Sequence, residues 1–130
     1  TPDLDLSNYV EIQSDHLKEA RKNIELVTDH IWIRGDSVVG EEQLTIYGEG
    51  DTDSTELTYG PDDLTRIEIR ESGAESCYGL PYIKDITQPI PKGVDVGIQF
   101  QEEHPTIWQW TCFDETVDVE YMLAPRIQSD

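Results

Sequence analysis

A chain of 130 residues with an ordinary apolar share can bury a core of its own as one domain, and none of its apolar runs approaches the ~18 residues of a membrane span. Its 28 Asp and Glu against 9 Lys and Arg leave a net charge of −19, which disfavours direct nucleic-acid binding and association with an anionic membrane. The N-terminal TPDLDLSNYV lacks the basic and apolar regions of a signal peptide.

Residues 1–13 read as an N-terminal extension. A helix is predicted over 14–28, because Leu17, Ala20, Ile24 and Val27 fall on one stripe at helical spacing, and Ser14 or Asp15 can cap it. Its other face carries Lys18, Arg21 and Lys22, so three of the nine basic residues lie within five positions. That cluster is either paired helix surface or a small cationic dock for an acidic partner or a neighbouring subunit.

From residue 30 to 124 the pattern is β. "IWIR" and "SVV" flank Gly35-Asp36, and Gly followed by Asp suits a two-residue hairpin turn. Arg34-Gly35-Asp36-Ser37 also spells an integrin attachment motif, but the turn reading is preferred to adhesion. Period-two alternation follows at Leu44/Ile46, Leu57/Tyr59, Ile67/Ile69, Val94 to Phe100 and Val117 to Leu123. Five half-buried runs with turn residues between them indicate an antiparallel β-sandwich or small barrel with one N-terminal helix. "KDITQPIPKGVD", with Pro89 and Pro91, cannot be a central strand; it reads as an extended connector or an arm laid on a neighbour.

Few residues suggest chemistry. In "YGEGDTDST", Glu49, Asp51 and Asp53 offer alternating hard oxygen ligands for a weak calcium-like site, or for loosely held sodium or potassium. His16, His30 and His104 match no zinc spacing. Cys77 and His104 could pair as a dyad, but "ESCYG" and "QEEH" place carboxylates beside both, so a reactive thiolate is discouraged; Cys77 and Cys112 can form one disulfide or pack as small core residues. No nucleophile elbow and no phosphate-binding glycine loop is present, so neither an enzyme nor a cofactor is expected. In "TIWQWTCFD", Trp108, Trp110 and Cys112 share one face of a strand, while Phe113 lies on the other. Two tryptophans on one face suit core or subunit contact, or a sugar-stacking platform.

The acid is spread evenly: residues 1–43 and 44–87 hold ten acidic side chains each, and 88–130 hold eight. In dilute buffer such charge repels itself, whereas molar salt shortens the screening length to ~3 Å. This composition resembles that of proteins from extremely halophilic archaea and their viruses. The small β-rich outline is also loosely similar to virion accessory proteins, such as capsid decoration or head–tail joining proteins. These resemblances imply a non-enzymatic assembly protein of a halophile cytoplasm or virus particle, homo-oligomeric or part of a larger assembly. Its interfaces would be Lys18, Arg21, Lys22, Trp108, Trp110, Pro89 and Pro91. The alternatives are an acidic nucleic-acid mimic that inhibits a DNA-binding protein, or a carbohydrate-binding module using Trp108 and Trp110.

Overall fold

The structure, a computed structural model, describes residues 6–112 and 117–126. In chain order the first elements are β1 (Asn8–Gln13), α1 (Ser14–Glu25), β2 (His30–Val38), β3 (Glu41–Glu49) and β4 (Ser54–Tyr59). They are followed by β5 (Arg66–Ile69), β6 (Ala74–Gly79), α2 (Leu80–Thr87), β7 (Asp95–Phe100), β8 (Thr106–Cys112) and β9 (Val117–Leu123). The fold is mainly β. One antiparallel sheet runs β5-β1-β7-β8-β9 and the other β4-β3-β2-β6. Both sheets are open, so the barrel option falls.

Alternation decides which face of each strand is buried. Val10 and Ile12 of β1, Val96, Ile98 and Phe100 of β7, and Trp108 and Trp110 of β8 supply the core side of the first sheet. Ile31 and Ile33 of β2, Leu44 and Ile46 of β3, and Tyr78 of β6 supply that of the second. The two sheets meet closely at Gly35, where a Cβ would lie 2.7 Å from Ile69 Cδ1 and 2.9 Å from Phe100 Cζ. The glycine of the Arg-Gly-Asp triplet is therefore a packing residue inside β2, not a turn.

The turn of this hairpin lies further along. Val38 pairs with Glu41, leaving Val39 (φ 52) and Gly40 (φ 77) as a two-residue loop of positive φ. Arg34 and Asp36 stay within the strand and pair with each other, Nε donating to Oδ2 at 2.9 Å, so they are not displayed at a tip.

Three elements depart from the sequence reading. The supposed N-terminal extension contains β1, an interior strand hydrogen-bonded to β5 and β7. Residues 74–79 form β6, whose core face includes Ser76, a polar residue satisfied by donating to Gln101 O at 3.0 Å. A second helix, α2, begins with Pro81 in its first turn, where the missing N–H costs nothing, and buries Leu80, Ile83 and Ile86.

Candidate nucleic-acid interface

Helix α1 is amphipathic: Leu17, Ala20 and Ile24 are buried, while Asp15, Glu19 and Lys22 lie on its outer side. Its first turn is tied to the segment after α2. Ser14 N–H donates to Val94 O at 2.8 Å, Ser14 Oγ to Pro91 O at 2.7 Å and Lys18 Nζ to Ile90 O at 2.5 Å. Ile90 is buried beneath this contact. Pro89 and Pro91 thus flank a turn fastened to the chain's own helix, rather than an arm laid on another subunit.

That fastening brings Lys92 beside Lys18 and Lys22 around a shallow hollow of ≈ 570 Å³, also lined by Asp15, Glu19 and Asn23. Lys84 on α2 completes the set. The two helices pack against one another, and Glu25 joins them. Its carboxylate accepts from Arg21 at 2.9 Å and from Lys84 at 3.4 Å. The hydrogen bond from Arg21 leads the causes that hold Glu25 below the usual carboxylate range, with Lys84 adding to it. Arg21 is largely buried, 8% exposed at its side chain, so it packs between elements and is not open surface.

All four lysines of the chain therefore gather on one layer. Helix α1 carries three acids and three bases and α2 one of each, so the helices are neutral in a molecule of net −19. The net negative charge lies elsewhere.

The opposite character marks a hollow of ≈ 610 Å³ on the first sheet, lined by Glu11, Asp95, Asp118 and Glu120 with Tyr9 and Gln109. It opens where β7 stops pairing with β8 at Gly97–Gln109, while β8 continues along β9 to Cys112. Tyr9 donates to Glu11 at 2.7 Å. Burial, with Glu11 next, pushes its phenol well above its ordinary value. This wall of carboxylates repels phosphate.

The remaining candidates disperse. Trp108 is 1% and Trp110 7% exposed, so neither can offer a flat face to a sugar. Trp108 Nε1 donates to Thr106 Oγ1 at 2.7 Å, and Trp110 stacks on Tyr121 with centroids 5.7 Å apart. They are core residues. Phe113 lies outside the described residues. Glu49, Asp51 and Asp53 are exposed around the β3–β4 loop, and among the described residues no three His, Cys, Asp or Glu side chains form a metal-holding group. Cys77 is buried and Cys112 half-buried, and no disulfide joins them. Among the described residues no helix is long and apolar enough to cross a membrane.

Sequence reasoning found the Lys18/Arg21/Lys22 cluster but missed Lys84 and Lys92 as its neighbours. Their separation along the chain hides a proximity that the α1–α2 packing creates for Lys84 and the fastening of residues 90–94 to α1 creates for Lys92.

No family model matches the chain. It is 36% identical over 129 residues to the DNA polymerase sliding clamp of Halobacterium salinarum, covering 99% of this chain and 51% of that protein. The clamp of Natronomonas pharaonis matches equally well over the same share, and that of Methanococcoides burtonii is 30% identical, with 50% of it covered. Among solved structures, A. fulgidus PCNA, determined with the C-terminal region of FEN-1 bound, superposes with a TM-score of 0.87 at 24% identity, over all of this chain and 51% of that one. PCNA from Thermococcus kodakaraensis gives 0.82 at 26% identity, over 97% of this chain and 50% of that one.

These findings overturn the virion expectation, since the relatives are replication clamps. They equally overturn the exclusion of nucleic acid, which rested on net charge. The haloarchaeal relatives do agree with the salt-adapted composition. Sliding clamps are not enzymes and need no cofactor, as expected from the sequence. The chain spans about half the length of the curated relatives it matches.

Proposed function

We propose that this chain is a sandwich-like domain of a DNA polymerase sliding clamp, acting in the cytoplasm of a haloarchaeon and facing duplex DNA with its α1–α2 layer. One observation carries the reading: all four lysines lie on that layer, whose two helices are neutral in a chain of net −19. A clamp must hold DNA without reading its bases, and phosphate contacts from lysine give that sequence-independent grip. Lys18, Lys22 and Lys92 are the groups assigned to the phosphates. The repulsive faces then favour one orientation of the duplex.

Closing a ring needs further domains. Strands β4 and β9 are the outer strands on one side of each sheet. An unpaired edge invites another strand, so these edges are assigned to neighbouring clamp domains in a homo-oligomer. By analogy with the A. fulgidus protein, segments like the FEN-1 C-terminal region are a second class of partner.

The test is duplex binding followed by fluorescence anisotropy across a potassium chloride series in which circular dichroism confirms the fold. Replacing Lys18, Lys22 and Lys92 by Gln should weaken binding. It should also flatten the log–log salt slope by about 0.9 for each lysine that touches a phosphate. Unchanged affinity and slope would refute the helix layer as the DNA face.

A further inference from the structure

We infer that Glu25 limits this layer's grip on DNA by holding Lys84 away from the phosphates, an inference that rests on the clamp reading above. Glu25 is the junction of the two helices. One carboxylate oxygen meets Arg21 at 2.9 Å, and the other meets Lys84 at 3.4 Å. The Glu25 and Lys84 side chains are both 40% exposed, so a phosphate approaching the layer competes directly with the carboxylate for the ammonium. Arg21, beneath the surface, does not enter that competition.

Lys18 is partly committed as well, since its ammonium donates to Ile90 O. Lys22 and Lys92 have no such tie to a carboxylate or carbonyl among the described residues. The layer is thus organised to hold duplex loosely, as a protein that must move along DNA requires. An additional free cation would strengthen binding and make it more salt-dependent. Glu25 also adds a negative charge where the phosphates would pass, so its effect has two parts: local repulsion and capture of Lys84.

A double-mutant cycle separates the parts. With duplex binding measured as a function of salt, Glu25→Gln should tighten affinity about threefold or more at the lowest salt that keeps the fold, and steepen the slope by about 0.9. Lys84→Gln alone should leave affinity nearly unchanged, because that lysine is already engaged. Combined, the two substitutions should lose most of the gain and return the slope to that of the unsubstituted protein. A gain that persists in full without Lys84 would reduce Glu25 to general repulsion and overturn the inference. So would Lys84→Gln weakening binding as much as Lys22→Gln.

Glu25→Gln keeps an acceptor for buried Arg21, and Glu25→Asp provides a second check. The shorter carboxylate keeps its charge but cannot span both partners, so it should recover part of the slope change. The cycle and the clamp reading can fail separately. Lys22→Gln without effect defeats the reading itself, whereas its success beside an inert Glu25→Gln defeats only the role of Glu25.

Discussion

The two hollows of this domain are similar in size and opposite in sign. The one on α1 sets Lys18, Lys22 and Lys92 against Asp15 and Glu19; the one on the first sheet holds Glu11, Asp95, Asp118 and Glu120 with no base among them. A net charge of −19 averages over both and describes neither. The difference teaches that a strongly acidic protein can still present a phosphate-tolerant face, provided its scarce bases are gathered rather than scattered. Here helix packing does the gathering.

That contrast can be broken most forcefully from beneath. Trp108 is fully buried on the core face of β8, and Trp108→Ala should cost about 3–5 kcal/mol. Chemical denaturation in high salt would read that loss. DNA affinity per folded molecule should not change, because neither hollow depends on the indole for its charge.

Alkaline titration probes the body next. Burial pushes the Tyr59 and Tyr78 phenols up to about 12. Their folded values lie above the unfolded value near 10, so their contribution is complete below pH ~10 and is lost as pH rises towards about 12. Unfolding monitored by circular dichroism should steepen in that window. The phenols' own absorbance should follow it rather than precede it.

A smaller effect sharpens the acidic side. Asp95→Asn with Asp118→Asn should leave duplex affinity nearly unchanged while lowering the salt concentration needed for folding, because like charges around the hollow are relieved. A large gain in DNA binding from this pair would mean that the wrong face had been chosen. Smallest of all, Val39→Asn should stabilise by ~1 kcal/mol, since Val39 holds φ 52 in the β2–β3 turn and Asn-Gly is the favoured pair there. Thermal melting against the unsubstituted protein reads it, with DNA binding again unmoved.

Much of the fold was legible from period alone. The alternating runs of β3, β4, β5, β7 and β9 and the stripe of α1 could be read because each has one apolar face. Other elements were hidden for physical reasons. Strand β1 follows an acidic, proline-containing start and runs straight into α1, with no turn residue between them. Ser76 interrupts the pattern of β6 with a polar core residue. Helix α2 carries Leu80, Ile83 and Ile86 at helical spacing, but Pro89 and Pro91 just beyond drew the reading towards an extended arm.

The site was half legible. Lys18, Arg21 and Lys22 stand together in the sequence, whereas Lys84 joins them only through the contact between helices and Lys92 only through the turn fastened to α1. Trp108 and Trp110 suited core or subunit contact better than a sugar platform, and packing between sheets made them core. The nucleic-acid exclusion rested on the sum of the charges, whereas the proposed DNA contact depends on the local face.

The most direct measurement is amide hydrogen exchange on the protein with and without a duplex, in salt high enough to keep it folded. The account predicts added protection over residues 18–26 of the α1 region and over 82–92, with none at Asp95, Gln109 or Asp118. Protection centred on the first-sheet hollow, with α1 unchanged, would contradict it.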